Sequence, residues 1–315
     1  MTDSGFDRTS ECESPLNIVT GAFGFSGRYI AECLLQNGQK VRTLTNRSGK
    51  NLPLLEQLEV APLHFSNFDE MVRNMSGAKV LYNTCWVRFD RGNVSYESAI
   101  DNTRLLLRAA EKAGVERIVH LSVTNPSRSS PLPYYRGKAV LEEEIQSSQL
   151  SYAILRPTLV FGAGDILINN IAWLLHRFPI FAIPGKGDYS VQPIFAEDLA
   201  ALAVENGRNR ENCIVDAIGP ETYAYDDFVR LIADAVGSRS RIIHLPVSWV
   251  VLASRLLGLL VNDVLLTRQE IEGLMSNLLV SEQPPNGKTS FRAWLQEHAK
   301  TLGRTYASEL DRHFR

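Results

Sequence analysis

The chain has 315 residues, 44% hydrophobic and 22% charged, ordinary for a soluble globular protein and enough for one large α/β domain or two lobes. Its formal net charge of −2 gives no reason to expect a nucleic-acid partner. Four scattered cysteines and six scattered histidines show no metal-ligand spacing, so no metal site is expected and the thiols suit a reducing cytoplasm.

Residues 1–14 are polar and carry acidic side chains without an apolar core, and are expected as a disordered tail. An apolar run from Leu16 then ends in Thr20, and Gly21, Gly24 and Gly27 follow at three-residue spacing. An amphipathic helix continues to a glycine stop at Gly38. Glycines are needed where a strand turns sharply into a helix and its backbone must approach a ligand closely. The amides and dipole at that helix start favour a phosphate, so the loop reads as a dinucleotide cradle.

Strands are predicted over 17–20, 40–45, 60–65, 80–84, 117–122 and 152–156, with helices over 27–36, 68–75, 99–113 and 138–147. That alternation predicts an α/β fold, a Rossmann-type doubly wound parallel sheet covered on both faces. After Pro157 the regularity fades into helices over 165–177, 196–206, 226–236, 268–280 and 290–315. The expected organisation is a dinucleotide-binding domain over 15–160 and a smaller, mainly helical substrate lobe over 161–315, partly interleaved with it. No run reaches the ~18 apolar residues of a membrane span. The nearest, over 246–261, is expected as a buried helix or a dimer contact, with peripheral membrane attachment as the alternative.

The predicted strand ending in Ser122 leads through a proline-rich loop into YYRGKAVLEEEI. Tyr134 and Lys138 are four apart and share one face of a helix that Pro133 suits as a start. A free tyrosine titrates near ~10, too high for efficient proton transfer at neutral pH, and a nearby ammonium would lower it. Ser122 or Thr124 would supply a hydroxyl to hold a carbonyl oxygen.

These motifs resemble the short-chain dehydrogenase/reductase superfamily in its extended or atypical branch. TGAFGFSG is similar to the TGxxGxxG loop, YYRGK to YxxxK, SYAILRPTLVFGAGD to the RPxxVxGPGD strand and loop, and VQPIFAEDLA to the HVxDLA segment; the match covers roughly 15–235. The resemblance implies Tyr134 as general acid/base and Lys138 as contact to the nicotinamide ribose. It also implies cofactor contacts from Thr20, Gly21, Phe23, Gly24, Phe25, Gly27 and Thr84, with Arg156 and Pro157 at the nicotinamide end. Three positions depart from the pattern. Val123 stands where the sugar-nucleotide members often carry their hydroxyl, Ile194 or Phe195 replaces the late histidine, and no acid follows the third strand around His64–Ser66. These departures resemble regulatory NmrA-like proteins, quinone-reductase-like proteins and relatives of a respiratory complex I accessory subunit. The branch also implies pairing of two copies through the helix that carries Tyr134.

No acid ends the second strand near Thr45, and Asn46, Arg47 and Lys50 follow. An acid there would bind the adenosine ribose and repel a 2′-phosphate, whereas Arg47 would hold it, so NADPH is favoured over NADH. The leading expectation is an NAD(P)-dependent oxidoreductase acting on a small carbonyl, quinone or related metabolite. Nucleotide-sugar epimerase or dehydratase chemistry is the second reading, with Arg177 and Lys186 as the evident phosphate contacts. A non-catalytic dinucleotide-binding sensor or assembly protein is the third. Trp86, Phe89, Phe161, Trp173 and Phe181 are candidates for an apolar pocket or for packed core.

Overall fold

The computed structural model describes residues 14–46 and 57–313. The tail read over 1–14 lies, apart from Ser14, outside the described residues, as do Arg47 and Lys50. In chain order the first half comprises β1 (Leu16–Thr20), α1 (Phe25–Gln36), β2 (Lys40–Leu44), β3 (Glu59–Ala61), α2 (Phe68–Met75), β4 (Ala78–Asn83), α3 (Tyr96–Ala113), β5 (Arg117–Leu121), α4 (Pro133–Ser147) and β6 (Ser151–Pro157). Then come β7 (Leu159–Phe161), α5 (Leu167–Arg177), β8 (Ile180–Pro184), β9 (Ser190–Val191), β10 (Pro193–Phe195), α6 (Ala196–Arg208), β11 (Cys213–Ala217), β12 (Tyr223–Ala224) and α7 (Tyr225–Ala235). The chain closes with β13 (Arg241–Leu245), α8 (Val247–Val261), α9 (Arg268–Met275), α10 (Phe291–His298) and α11 (Glu309–His313).

Seven strands form one parallel sheet in the order β11-β6-β5-β4-β1-β2-β3. Alternate side chains of each strand feed opposite faces, so both faces carry a core. Val19, Leu121 and Leu155 pack with α1 and α6 on one side, while Ile18, Leu81 and Ile118 pack with α2 and α3 on the other. Strand order reverses between β1 and β4, and a doubly wound sheet binds its ligand in the crevice above such a point. Thr20 locks the two strand ends: Thr84 N donates to its Oγ1 at 2.9 Å, and Thr84 Oγ1 donates to its carbonyl at 2.6 Å.

The second half is less helical than its sequence suggests. β11 joins the main sheet beside β6, and β7·β10, β8·β13 and β9·β12 form three small pairs. A separate apolar core, centred on Phe161, Phe228, Phe291 and Trp294, holds α5, α7 and α10 together. Phe161 and Phe181 are spent in this core, and Trp173 packs against Phe178 and Tyr306. The helix predicted over 290–315 is two short helices separated by a turn around Gly303, whose backbone lies against Ala172 and Trp173. The segment 246–261 is helical, yet of α8 only Val250 and Gly258 are buried, which corrects the expectation of a buried helix.

Candidate functional site

The glycine loop is built as a cradle. Gly21 takes φ +67°, a conformation that favours glycine, and its carbonyl accepts from Gly24 N at 2.8 Å. A Cβ on Gly27 would stand 2.3 Å from that carbonyl oxygen, so the first turn of α1 can sit on the loop only as glycine. No side chain caps α1 and no acid lies in its first turn, which leaves the positive end of the helix open to an anion. Gly21, Phe23, Gly24, Phe25, Gly27, Asn46 and Thr84 line a groove of about 560 Å³. Its lining, which continues through Thr45, Trp86 and Asn102, carries no charged residue among those described. Asn46 spends its amide on Leu63, donating to the carbonyl at 2.6 Å and accepting from the N–H at 2.9 Å. Thr20 stands behind the groove as the clamp between β1 and β4.

At the groove's inner end Trp86 separates two spaces. Its indole stacks on Tyr96 at 6.0 Å and meets Tyr134 edge-on at 6.0 Å, ring centre to ring centre. Gly137 on α4 makes room for it, since a Cβ there would lie 2.9 Å from the indole. The buried Nε1 of Trp86 has no hydrogen-bond partner, an unusual state for a buried donor and one that an acceptor arriving in the groove would relieve. Cradle, open helix end and orphaned donor together fit a dinucleotide.

Lys138 and Tyr134 share the face of α4 that the spacing predicts, but their electrostatics differ from expectation. The Lys138 ammonium donates to the Leu121 carbonyl at 2.6 Å and lies 4.5 Å over the Trp86 ring. Burial pushes it down to about 7, against the opposing pull of Glu142 and Cys85. Tyr134 is pushed up to about 12 by burial, with Glu270 adding and Arg88 opposing. Lys138 therefore does not lower Tyr134 here, and the phenol stays protonated through the neutral range. His120, buried on β5, is held neutral by burial and by Lys138.

A lysine with a depressed folded value gives a stability signature of defined sign. Between about 7 and its ordinary value of 10.5, the unfolded chain holds a proton that the folded chain lacks. Stability should then rise with pH through that window, by up to about 1.4 kcal/mol per pH unit, and the burial penalty is fully present below it. Denaturant unfolding of Lys138→Met between pH 7 and 9 should show this slope removed. An unchanged slope would place the lysine's charge elsewhere.

The two expected catalytic hydroxyls are committed to other partners. Ser122 Oγ donates to Glu142 Oε1 at 2.5 Å, and the same carboxylate pairs with Arg156 at 2.5 Å. Thr124 Oγ1 donates to the Leu278 carbonyl at 2.8 Å. Ser122, Thr124, Arg156 and Pro157 line neither the groove nor the pocket beside it. The sequence held a signal for this cluster: Lys138 and Glu142 are four apart on α4, so the carboxylate shares the lysine's face.

Beyond Trp86 lies a second pocket of about 370 Å³, open to Tyr134, Tyr96 and Val123. Leu132, Leu159, Leu167, Leu265, Leu266 and Leu274 supply much of its wall. Arg88 is its sole cation among the described residues, facing Asp165, Glu270 and Glu309. Arg88 donates to Glu270 at 2.5 Å, to Glu309 at 3.2 Å and to the Leu265 carbonyl at 3.0 Å, so its charge is already met. Asp165 accepts from the Leu167 and Ile168 amides at the start of α5 and is pushed up to about 6 by burial. Arg177 and Lys186 line neither space. Sequence reasoning gave Arg88, Tyr96, Asp165, Glu270 and Glu309 no role at the site, because long-range folding alone assembles them.

Residues 17–212 match the model of the NAD dependent epimerase/dehydratase family. The chain belongs to that family. Its NAD(P)-binding, Rossmann-type character is thereby shown, in agreement with the extended-branch resemblance of the motifs. It is 27% identical over 239 residues, 72% of this chain and 60% of the relative, to a mitochondrial NADH dehydrogenase [ubiquinone] 1 alpha subcomplex subunit 9 of Arabidopsis thaliana. It thus spans less than two thirds of the length of that relative. A ceramide reductase of Caulobacter vibrioides is 26% identical over 245 residues, 76% of each protein. The fold is also that of an NADPH-dependent quinone oxidoreductase of Escherichia coli, with TM-score 0.71, 18% identity and 91% and 99% coverage of the two chains.

Proposed function

We propose that the protein is an NAD(P)-dependent reductase of a hydrophobic carbonyl compound or quinone, with Tyr134 as proton donor. The observation that carries this reading is the apolar pocket meeting the glycine-loop groove at Trp86 and Tyr134. A nucleotide sugar would need cations for its diphosphate, and the pocket offers three carboxylates against one already paired arginine. A relative named ceramide reductase and a like-folded quinone oxidoreductase support an apolar substrate.

A reduced nicotinamide, when bound, supplies the hydride that a carbonyl carbon accepts. The chain's own contribution is the proton: the Tyr134 phenol donates it to the carbonyl oxygen, which leaves an alcohol. A phenol held protonated suits this direction of reaction. Lys138, like Ser122 and Thr124, lines neither space: it is buried behind Trp86, bonded to the Leu121 carbonyl, and its part is to hold the Trp86 indole through its ammonium. The lack of a carboxylate among the described residues that line the groove, together with Arg47 and Lys50 in the sequence, favours NADPH.

The complex I subunit relatives favour a second reading, a dinucleotide-binding assembly subunit without turnover. Titration of the protein with NADPH and NADH, followed by turnover assays with apolar ketones, aldehydes and quinones, separates the two. NADPH should bind more tightly, and Gly27→Ala should weaken it at least about tenfold by forcing the loop off α1. Binding without oxidation of NADPH by any of these acceptors would favour the assembly reading, and no binding below millimolar would end both.

A further inference from the structure

α8 presents an apolar face that nothing among the described residues covers. Trp249, Leu252, Leu256, Leu259 and Leu260 are 48–80% exposed, far from the usual state of such residues. At about 100° per residue they fall within an arc of roughly 100°, while the buried Val250 and Gly258 lie on the other side. The helix contains no acidic residue, and Arg255 flanks the stripe. Arg91 joins Arg255 in lining the cleft that runs along the C-terminal half of the helix.

The inner side of the same hairpin builds the apolar pocket. Asn262, at φ +52°, ends α8, and the chain turns back through Leu265 and Leu266 to the cap of α9. Those two leucines line both the α8 cleft and the pocket that holds Tyr134. One short segment therefore exposes leucines on its outside and floors the substrate space on its inside.

We propose that α8 is an interfacial helix that seats the protein on an anionic lipid bilayer and turns the pocket toward membrane-dissolved substrate. A stripe of leucines with a tryptophan at one end suits the boundary between headgroups and acyl chains, and its length cannot span a membrane. The charge complement points to the occupant: α8 carries Arg255 and no acid, Arg91 lies beside it, and Asp263, the carboxylate of the same cleft, accepts from Tyr306 and from the Glu309 and Leu310 amides, which leaves a cationic edge drawn to anionic headgroups. Entry through the wall at Leu265 and Leu266 lets an apolar carbonyl lipid pass from bilayer to Tyr134 without crossing water. This last element rests on the reductase reading; the docking does not.

The test is sedimentation of the full chain with vesicles of phosphatidylcholine, with and without phosphatidylglycerol. The protein should pellet with the anionic vesicles, less so at high salt or as Arg255→Glu. The exposed pair Leu256→Glu/Leu260→Glu should lose binding at least about tenfold, with NADPH affinity in solution unchanged as the sign of an intact fold. Reduction of a vesicle-borne ketone should fall in the double variant while a short soluble ketone is reduced as before. Absence of vesicle binding by the wild type, or binding that the double variant keeps, overturns the proposal. So does a wild-type mass that doubles with concentration, without vesicle binding, and returns to monomer in the double variant, which would assign the face to a second copy. Failure of NADPH to bind in solution would instead remove the reductase reading and leave the docking result standing.

Discussion

Tyr134→Phe is expected to cut turnover by about 10²–10⁴-fold while NADPH still binds, the range of a lost general acid. The substitution removes one oxygen and keeps the ring that packs against Trp86, Tyr96 and Tyr135. Melting should therefore hardly change. Because the phenol is pushed up to about 12, the loss should be similar at pH 6 and pH 8 rather than growing on one side. Any neutral limb in the pH–rate profile should follow Lys138, which burial pushes down to about 7. Turnover within a few-fold of wild type would move the proton donor away from Tyr134.

Arg88→Met should be the most damaging single change to stability at this site. Arg88 joins the loop after β4 to α9 and α11 through two carboxylates. Removing a buried partner of an ion pair costs about 3–5 kcal/mol, and the quarter exposure of the arginine reduces that to roughly 2–4. The sign with pH is defined. Burial already raises Glu309, with Arg88 opposing, so losing Arg88 raises it further. The variant's deficit should be largest at neutral pH and shrink toward pH 5 as Glu309, no longer opposed by Arg88, takes up a proton more readily. Urea titrations at the two values measure this, and an equal deficit at both would show that the arginine acts through packing alone.

The first half of the fold was legible because its cause is local. Predicted helix 68–75 coincides with α2, which its Asn67 cap and the buried Met71 and Met75, one turn apart, define. The glycine loop likewise carries its geometry in its own residues. The second half was poorly legible, since two- and three-residue strands such as β9 and β10 have no periodic signature and exist through their partners. The site divides the same way. The Tyr134–Lys138 spacing is local, whereas their ionisation depends on burial and on Glu270, Arg88 and Cys85, which lie far from α4 in the sequence. Ser122 carries the lesson most plainly. Its hydroxyl looked free in sequence, and folding placed a carboxylate twenty residues away at 2.5 Å from it.

The clamp at Arg88 ties the pocket wall to the end of the chain. The residues that bind it stand 182 and 221 positions downstream, and both border the apolar pocket. The seven-stranded sheet draws all its strands from residues up to 217, and the glycine-loop groove is lined by residues before 107. The pocket beside it is completed only by residues up to Glu309. A chain cut near residue 217 would therefore carry the glycine loop and every strand of the sheet, yet lack Glu270 and Glu309 of the pocket wall.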